Sequence, residues 1–236
     1  MGRRQMMLVS DDEMSQMGVA AFRDMQKKIP ATRDSSQSAY VSCVARAIVD
    51  ANPDIRGQSA QWEVTTFEDK QVNAFALPGG KIGVFTGLLK VATTQDQLAA
   101  VIGHELSHVM ARHSAERVSE QMATQGVAIA AGAATGVDPQ MFGIAGQVFF
   151  LLPNSRSQES EADLLGLDYM ARAGFDPAQA VTLWQNMQKA GGQKPPELLS
   201  THPSDADRIA TLRQRQANAQ PLYQQAQAEG RIPRCR

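Results

Sequence analysis

The sequence predicts an α+β fold that is mainly α-helical, with one small mixed sheet beside a helix that carries a metal motif. Three observations predict it. Most of the chain places apolar residues at helical spacing between capping signals. One stretch, 62–85, alternates in the manner of strands. An H-E-x-x-H segment, His104 to His108, lies inside one of the helical stretches.

In chain order, residues 11–50 read as helical, with a break around Pro30. Trp62–Phe67 alternates. Val72–Leu77 and Lys81–Phe85 flank Pro78-Gly79-Gly80, which reads as a hairpin turn. From Thr94 to Gln125 the pattern is helical, with Leu98, Val101, Ile102, Leu106 and Val109 on one face, a Thr94/Gln97 capping box and Gly126 as the stop. A third helix starts near Ser155 and stops at Gly174. A fourth runs from Asp176 as N-cap, with Pro177 at its first position, to Gly191-Gly192. A fifth starts at Ser204. Residues 127–152 are strongly apolar, and Asp138-Pro139 divides them into two runs, each short of the ~20 residues that span a bilayer. They read as a helical pair packed on the domain. The whole chain, 1–236, reads as one domain, with 1–50 as an N-terminal helical segment and 214–236, rich in Gln and Ala, as a flexible tail.

Composition bounds the function. The chain has 236 residues and 43% apolar content, enough for a sizeable core. A net charge of −1, from 23 basic and 24 acidic residues with no basic block, argues against nucleic-acid partners. Cys43 and Cys235 have no C-x-x-C neighbour, which argues against a cysteine metal site. They are either one disulfide in an oxidising compartment or two free thiols. The N-terminal stretch has too few apolar residues in a row for a signal segment, so the chain is either cytosolic or begins after a removed signal.

The chemistry centres on the histidines. With four in the chain, at 104, 108, 113 and 202, a chance H-E-x-x-H is rare. On a helix, residues i and i+4 share a face, so His104 and His108 can reach one ion. Glu105 is rotated about 100° from His104, suited to a metal-bound water and poorly placed as a ligand. A catalytic zinc takes three protein ligands and keeps one open position. The downstream acids crowd into Glu159-Ser-Glu161-Ala-Asp163. On a helix Glu159 and Asp163 share a face while Glu161 turns away, so one of the pair binds metal and the other orients a ligand histidine. Spacing alone does not divide these roles. His113 lies one position off the ligand face and reads as structural. Arg208 is either a partner for an acid of the site or a solvated helix residue.

The set Val101–Val109, Ala111-Arg112-His113, Asn154–Asp163 and Thr201-His202-Pro203 resembles metallopeptidase family 48, the family of HtpX, Oma and the CAAX prenyl endopeptidases, over roughly residues 60–213. The resemblance implies a zincin-type (gluzincin) fold, one Zn2+ per chain, Glu159 as third ligand and Asp163 as its orienting partner. It also implies that Asn73, Ala74 and Phe75 form an edge strand that holds substrate backbone. His202, in a loop before Pro203, reads either as a donor that stabilises an oxyanion or as a structural loop histidine. The lack of spanning helices points to the soluble periplasmic lipoprotein branch, which resembles LoiP and YcaL. That implies a periplasmic or outer-membrane-associated protein, with membrane association through a removed lipoprotein N-terminus. The expected activity is zinc-dependent hydrolysis of unfolded or misfolded polypeptides in envelope quality control. The rival readings are a chaperone-like metal-binding protein and a latent protease plugged by 127–152 or by the C-terminal tail.

Overall fold

The computed structural model describes residues 5–59, 61–125, 139–190, 196–203 and 206–236. Helix α1 (Asp11–Lys28) opens on a capping box formed by Ser10 and Glu13, with acids in its first turn and Lys27 and Lys28 in its last, as the helix dipole favours. Helix α2 (Ser35–Ala51) is capped by Asp34, whose carboxylate accepts from the amides of Ser36 and Gln37. A short α3 (Pro53–Gly57) follows.

Strands β1 (Glu63–Phe67), β2 (Ala74–Leu77) and β3 (Lys81–Phe85) form one sheet in the order β1-β3-β2. β1 pairs with β3 in parallel and β2 pairs with β3 antiparallel, so the sheet is mixed and β2 is an edge strand. The hairpin between β2 and β3 turns at Gly79 (φ 82°) and Gly80 (φ 71°), left-handed conformations that glycine adopts without a Cβ penalty. Alternation sends Ala74, Ala76, Ile82 and Val84 into the main core, and Phe75, Leu77 and Phe85 to the opposite face.

A 3₁₀ turn (Thr86–Lys90) leads into α4 (Gln95–Met110), which is capped by the Thr94 hydroxyl. Here one expectation needs correction. The helical pattern over 94–125 is two helices, α4 and α5 (His113–Gln125). The break falls at Arg112, whose φ of 57° makes it the one non-glycine in the left-handed region among the described residues. An ion pair from Arg112 to Asp11 of α1 (2.7 Å) holds it there. With neither Gly nor Pro at the break, periodicity ran through it unmarked.

Helix α6 (Pro139–Phe150) packs against α1 and α5 through Met141, Ile144, Ala145 and Val148. Helix α7 (Arg156–Arg172) starts from a Ser155/Gln158 capping box and is followed by Gly174 at φ 86°. Then come α8 (Ala178–Ala190), α9 (Glu197–Thr201) and α10 (Ala206–Ala228). The proposed stops at Gly126 and Gly191-Gly192, the Ser204 start and residues 127–138 lie outside the described residues. The segment from Gln214, expected as a flexible tail, is instead helix through Ala228, and its end is tied down by a Cys43–Cys235 disulfide. Of the two cysteine readings, the structure has the disulfide. No helix of the described residues is long and apolar enough to cross a membrane.

The main core gathers α2, the alanine face of the sheet, α4, α7, α8 and α10. At its centre α4 and α7 approach at two glycines. A Cβ on Gly103 would lie 2.9 Å from the Gly166 carbonyl oxygen, and one on Gly166 would lie 2.9 Å from the His104 amide nitrogen. This close packing brings the α4 histidines against the acids of α7.

Candidate metal centre

His104 and His108 project from one face of α4, and Glu159 meets them from the first turns of α7. The Nε2 atoms of the two histidines are 3.1 Å apart. Glu159 Oε2 lies 3.3 Å from His104 Nε2, and Glu159 Oε1 lies 3.3 Å from His108 Nε2. All three residues are buried. Ligand atoms at ~2.0–2.1 Å from a tetrahedral ion are roughly 3.3–3.4 Å from one another. The imidazole–imidazole separation and the approach of one Glu159 oxygen to each histidine are close to that spacing, so the residues present fit a metal ion. Glu159 Oε2 is buried and makes no hydrogen bond of good geometry; its near neighbours are His104 Nε2 at 3.3 Å and the Arg208 guanidinium at 3.2 Å.

His202 comes from the loop after α9. Its Nδ1 lies 2.9 Å from Glu159 Oε1 and 3.2 Å from His104 Nε2, and its Nε2 lies 3.3 Å from Glu105 Oε1. One ligand atom from each of His104, His108, Glu159 and His202 falls within a 4.8 Å group, which could hold a metal. His202 is thus closer to the centre than an oxyanion partner alone requires. Asn154 Nδ2 sits 3.3 Å from His202 Nδ1, and Arg117 donates to Asn154 Oδ1 at 2.7 Å and also to the Leu152 carbonyl.

The outer side of His104 is equally built. Its Nδ1 lies 2.9 Å from Asp163 Oδ1, one turn beyond Glu159 on α7. Arg208 of α10 is buried and contacts both acids, at 2.7 Å to Asp163 and 3.2 Å to Glu159. Its guanidinium stacks on Trp184 of α8, 3.5 Å from the ring centroid. Of the two readings of Arg208, the structure has the one in which it meets acids of the site.

Burial dominates the electrostatics. It pushes the Glu105 carboxyl up from the ordinary range, opposed by the neighbouring His202 and His104. Burial works against the His104 cation, but Glu159 and Asp163 outweigh it and raise His104 to about 9. Burial drives His108 well below the usual histidine range. Burial also opposes the Glu159 carboxylate, yet His202 and His104 hold it far below the carboxylate range. The cluster therefore keeps a carboxylate charged in the interior and favours a cation beside it.

The expected edge strand borders the same cleft. Asn73, Ala74 and Phe75 line it together with Glu105, His108, Phe149, Phe150 and Asn154. Asn73 Oδ1 accepts from the Ala74 amide. The Phe75 ring packs in an aromatic cluster with Phe22, Phe67, Phe85 and Phe150, and all four residues of β2 are buried. Sequence reasoning missed Arg117 and Trp184, which carry no motif of their own, and gave Asn154 no role although it opens the Asn154–Asp163 element. It also read His113 as structural, whereas the ring lies directly behind His108, with the two Nδ1 atoms 2.8 Å apart.

Comparison with known proteins agrees with this geometry. The model of peptidase family M48 matches residues 35–216. The mitochondrial metalloendopeptidase OMA1 of Schizosaccharomyces pombe is 41% identical over 176 residues, covering 73% of this chain and 51% of that protein. The bovine mitochondrial metalloendopeptidase OMA1 is 30% identical over 229 residues, covering 89% and 44%. The beta-barrel assembly-enhancing protease of Escherichia coli is 26% identical over 233 residues, covering 94% and 47%. The chain thus spans about half the length of these relatives. It belongs to peptidase family M48.

Proposed function

We propose that this member of peptidase family M48 is a zinc-dependent endopeptidase that cleaves unfolded or misfolded polypeptides in envelope quality control. The observation that carries the reading is the buried convergence of His104, His108 and Glu159 at tetrahedral spacing, with Glu105 one residue along the same helix. His104, His108 and Glu159 would hold the metal. Zinc bound there would polarise the scissile carbonyl and ease deprotonation of water.

The chain's own residues supply the rest. Glu105 accepts the proton of the attacking water and passes it to the leaving amine. Burial, which raises its pKa, suits it to both halves of that transfer. Asp163 accepts from His104 Nδ1–H and fixes the tautomer that leaves Nε2 free, and Arg208 holds Asp163 in place. The β2 edge at Asn73–Phe75 pairs with an extended substrate through its backbone, which favours unfolded segments. His202 stabilises the developing oxyanion. The disulfide supports an oxidising compartment, and kinship with a beta-barrel assembly-enhancing protease supports the bacterial envelope.

The test is casein cleavage by wild type and Glu105→Gln, each with measured zinc content. The expected result is full zinc occupancy in both and a loss of roughly 10²–10⁴-fold in kcat/KM for the variant. Full activity in Glu105→Gln would sink the mechanism.

One observation favours a second reading. His202 Nδ1 lies among the ligand atoms, and four protein ligands would close the open position that catalysis needs. On this reading the enzyme rests in a latent state. The two readings predict opposite signs for His202→Ala: lower kcat if the residue serves the oxyanion, higher activity if it blocks the metal.

A further inference from the structure

The His104 side of the centre is braced by Asp163 and Arg208. The His108 side is braced by a different device. His113 is buried, and its Nδ1 lies 2.8 Å from His108 Nδ1. The opposite nitrogen of His113, Nε2, lies 3.2 Å from Glu161 Oε2 on α7. A line of groups therefore runs from the cluster through His108 and His113 to Glu161.

We propose that His113 and Glu161 are positioning residues that set the tautomer and orientation of His108 for the metal. The inference rests on the zinc reading above. The proton logic is closed. If His108 presents Nε2 to the metal, its proton resides on Nδ1. That N–H has His113 Nδ1 within hydrogen-bond distance, so His113 must accept there and carry its own proton on Nε2. The Nε2–H then donates to the Glu161 carboxylate. Along this line each of the two contacts then has one donor and one acceptor. A carboxylate at the far end makes His113 a better acceptor and His108 a better ligand, as carboxylate partners do for metal-bound histidines.

Backbone geometry explains why this was hidden. On an unbroken helix His113 would lie five residues past His108, rotated roughly 140° from it. The left-handed turn at Arg112, anchored to Asp11, folds α5 back and returns the His113 ring behind His108. Glu161 faces away from the Glu159 and Asp163 side of α7, and the folded-back α5 is what it meets there.

The test is zinc affinity of the full chain, measured by competition with a chromophoric chelator, together with the visible spectrum of the cobalt-substituted protein. His113→Leu removes the acceptor, and its zinc affinity should fall by about 10- to 100-fold with an altered cobalt spectrum. His113→Asn returns an oxygen acceptor near the Nδ1 position and should recover part of the loss. Glu161→Gln keeps an acceptor without the charge and should show a smaller loss. A merely structural role would lower the melting temperature of the metal-free protein and leave zinc affinity and spectrum unchanged. Wild-type affinity in folded His113→Leu overturns the proposal; if that variant does not fold, wild-type affinity and spectrum in both His113→Asn and Glu161→Gln do so. Failure of the wild type itself to bind zinc would overturn the parent reading as well, and so separates the two.

Discussion

The two flanks of α4 are built differently. On one side α4 meets α7 through bare backbone at Gly103 and Gly166, and charged side chains are locked between α4, α7, α8 and α10. On the other side α1, α5 and α6 share a core rich in methionine, with Met14, Met17, Met122 and Met141 buried together. The first flank fixes side chains through close-packed backbone and paired charges. The second fills space with flexible, unbranched side chains, which tolerate repacking. The cleft lies at their junction, with Glu105 and His108 on one wall and Phe149 and Phe150 of α6 on the other. A close-packed flank on one side and an adaptable wall on the other fit the proposed activity, which needs a fixed ion and room for different chains.

Three perturbations would break or sharpen this contrast. The largest effect is expected from replacing both Cys43 and Cys235 by Ser. The bridge closes a loop with a sequence separation of 192 and pins the end of the chain to α2, where the Cys235 amide also donates to Gln95 of α4. Removing it should cost about 2–5 kcal/mol in denaturant unfolding. Insensitivity to reductant would show that the metal flank does not depend on the tie.

Gly166→Ala comes next. The added methyl would meet the His104 backbone at 2.9–3.1 Å, and the helices must part. Overpacking of this kind costs roughly 1–3 kcal/mol. Because His104 moves relative to Glu159, zinc affinity should fall with thermal stability. Unchanged affinity would mean that the flank is softer than its packing implies.

The smallest effect is expected from Met141→Leu in the opposite flank. A volume-conserving swap there should cost less than about 1.5 kcal/mol and leave zinc affinity unaltered. A change in affinity would show that the two flanks are coupled.

How much was legible follows from the range of each interaction. His104, Glu105 and His108 are legible because a helix fixes i and i+4 locally, and the same rule pairs Glu159 with Asp163. The hairpin was legible because Pro78-Gly79-Gly80 has few other uses. Arg208 was only half legible: it reaches Asp163 across 45 positions, and no spacing rule covers that distance. The contact of His113 with His108 was not legible because the break at Arg112 carries no glycine or proline, so a correct helical period gave the wrong direction for the ring. The tail was misread because Gln and Ala read as low complexity, and only the disulfide and helix contacts show where it is held.

The sequence by itself laid out the candidate chemistry, since two candidate ligands and the candidate base sit within five consecutive residues of one helix. The tertiary structure decided how that chemistry is held. It brought Glu159, His202 and Arg208 to the helix from other parts of the chain, it turned α5 back so that His113 stands behind His108, and it set the edge strand β2 beside the cleft. The physical reason is that dihedral periodicity acts over a few residues, whereas these placements depend on which surfaces pack together, as at the α4–α7 crossing where Gly103 and Gly166 allow close approach.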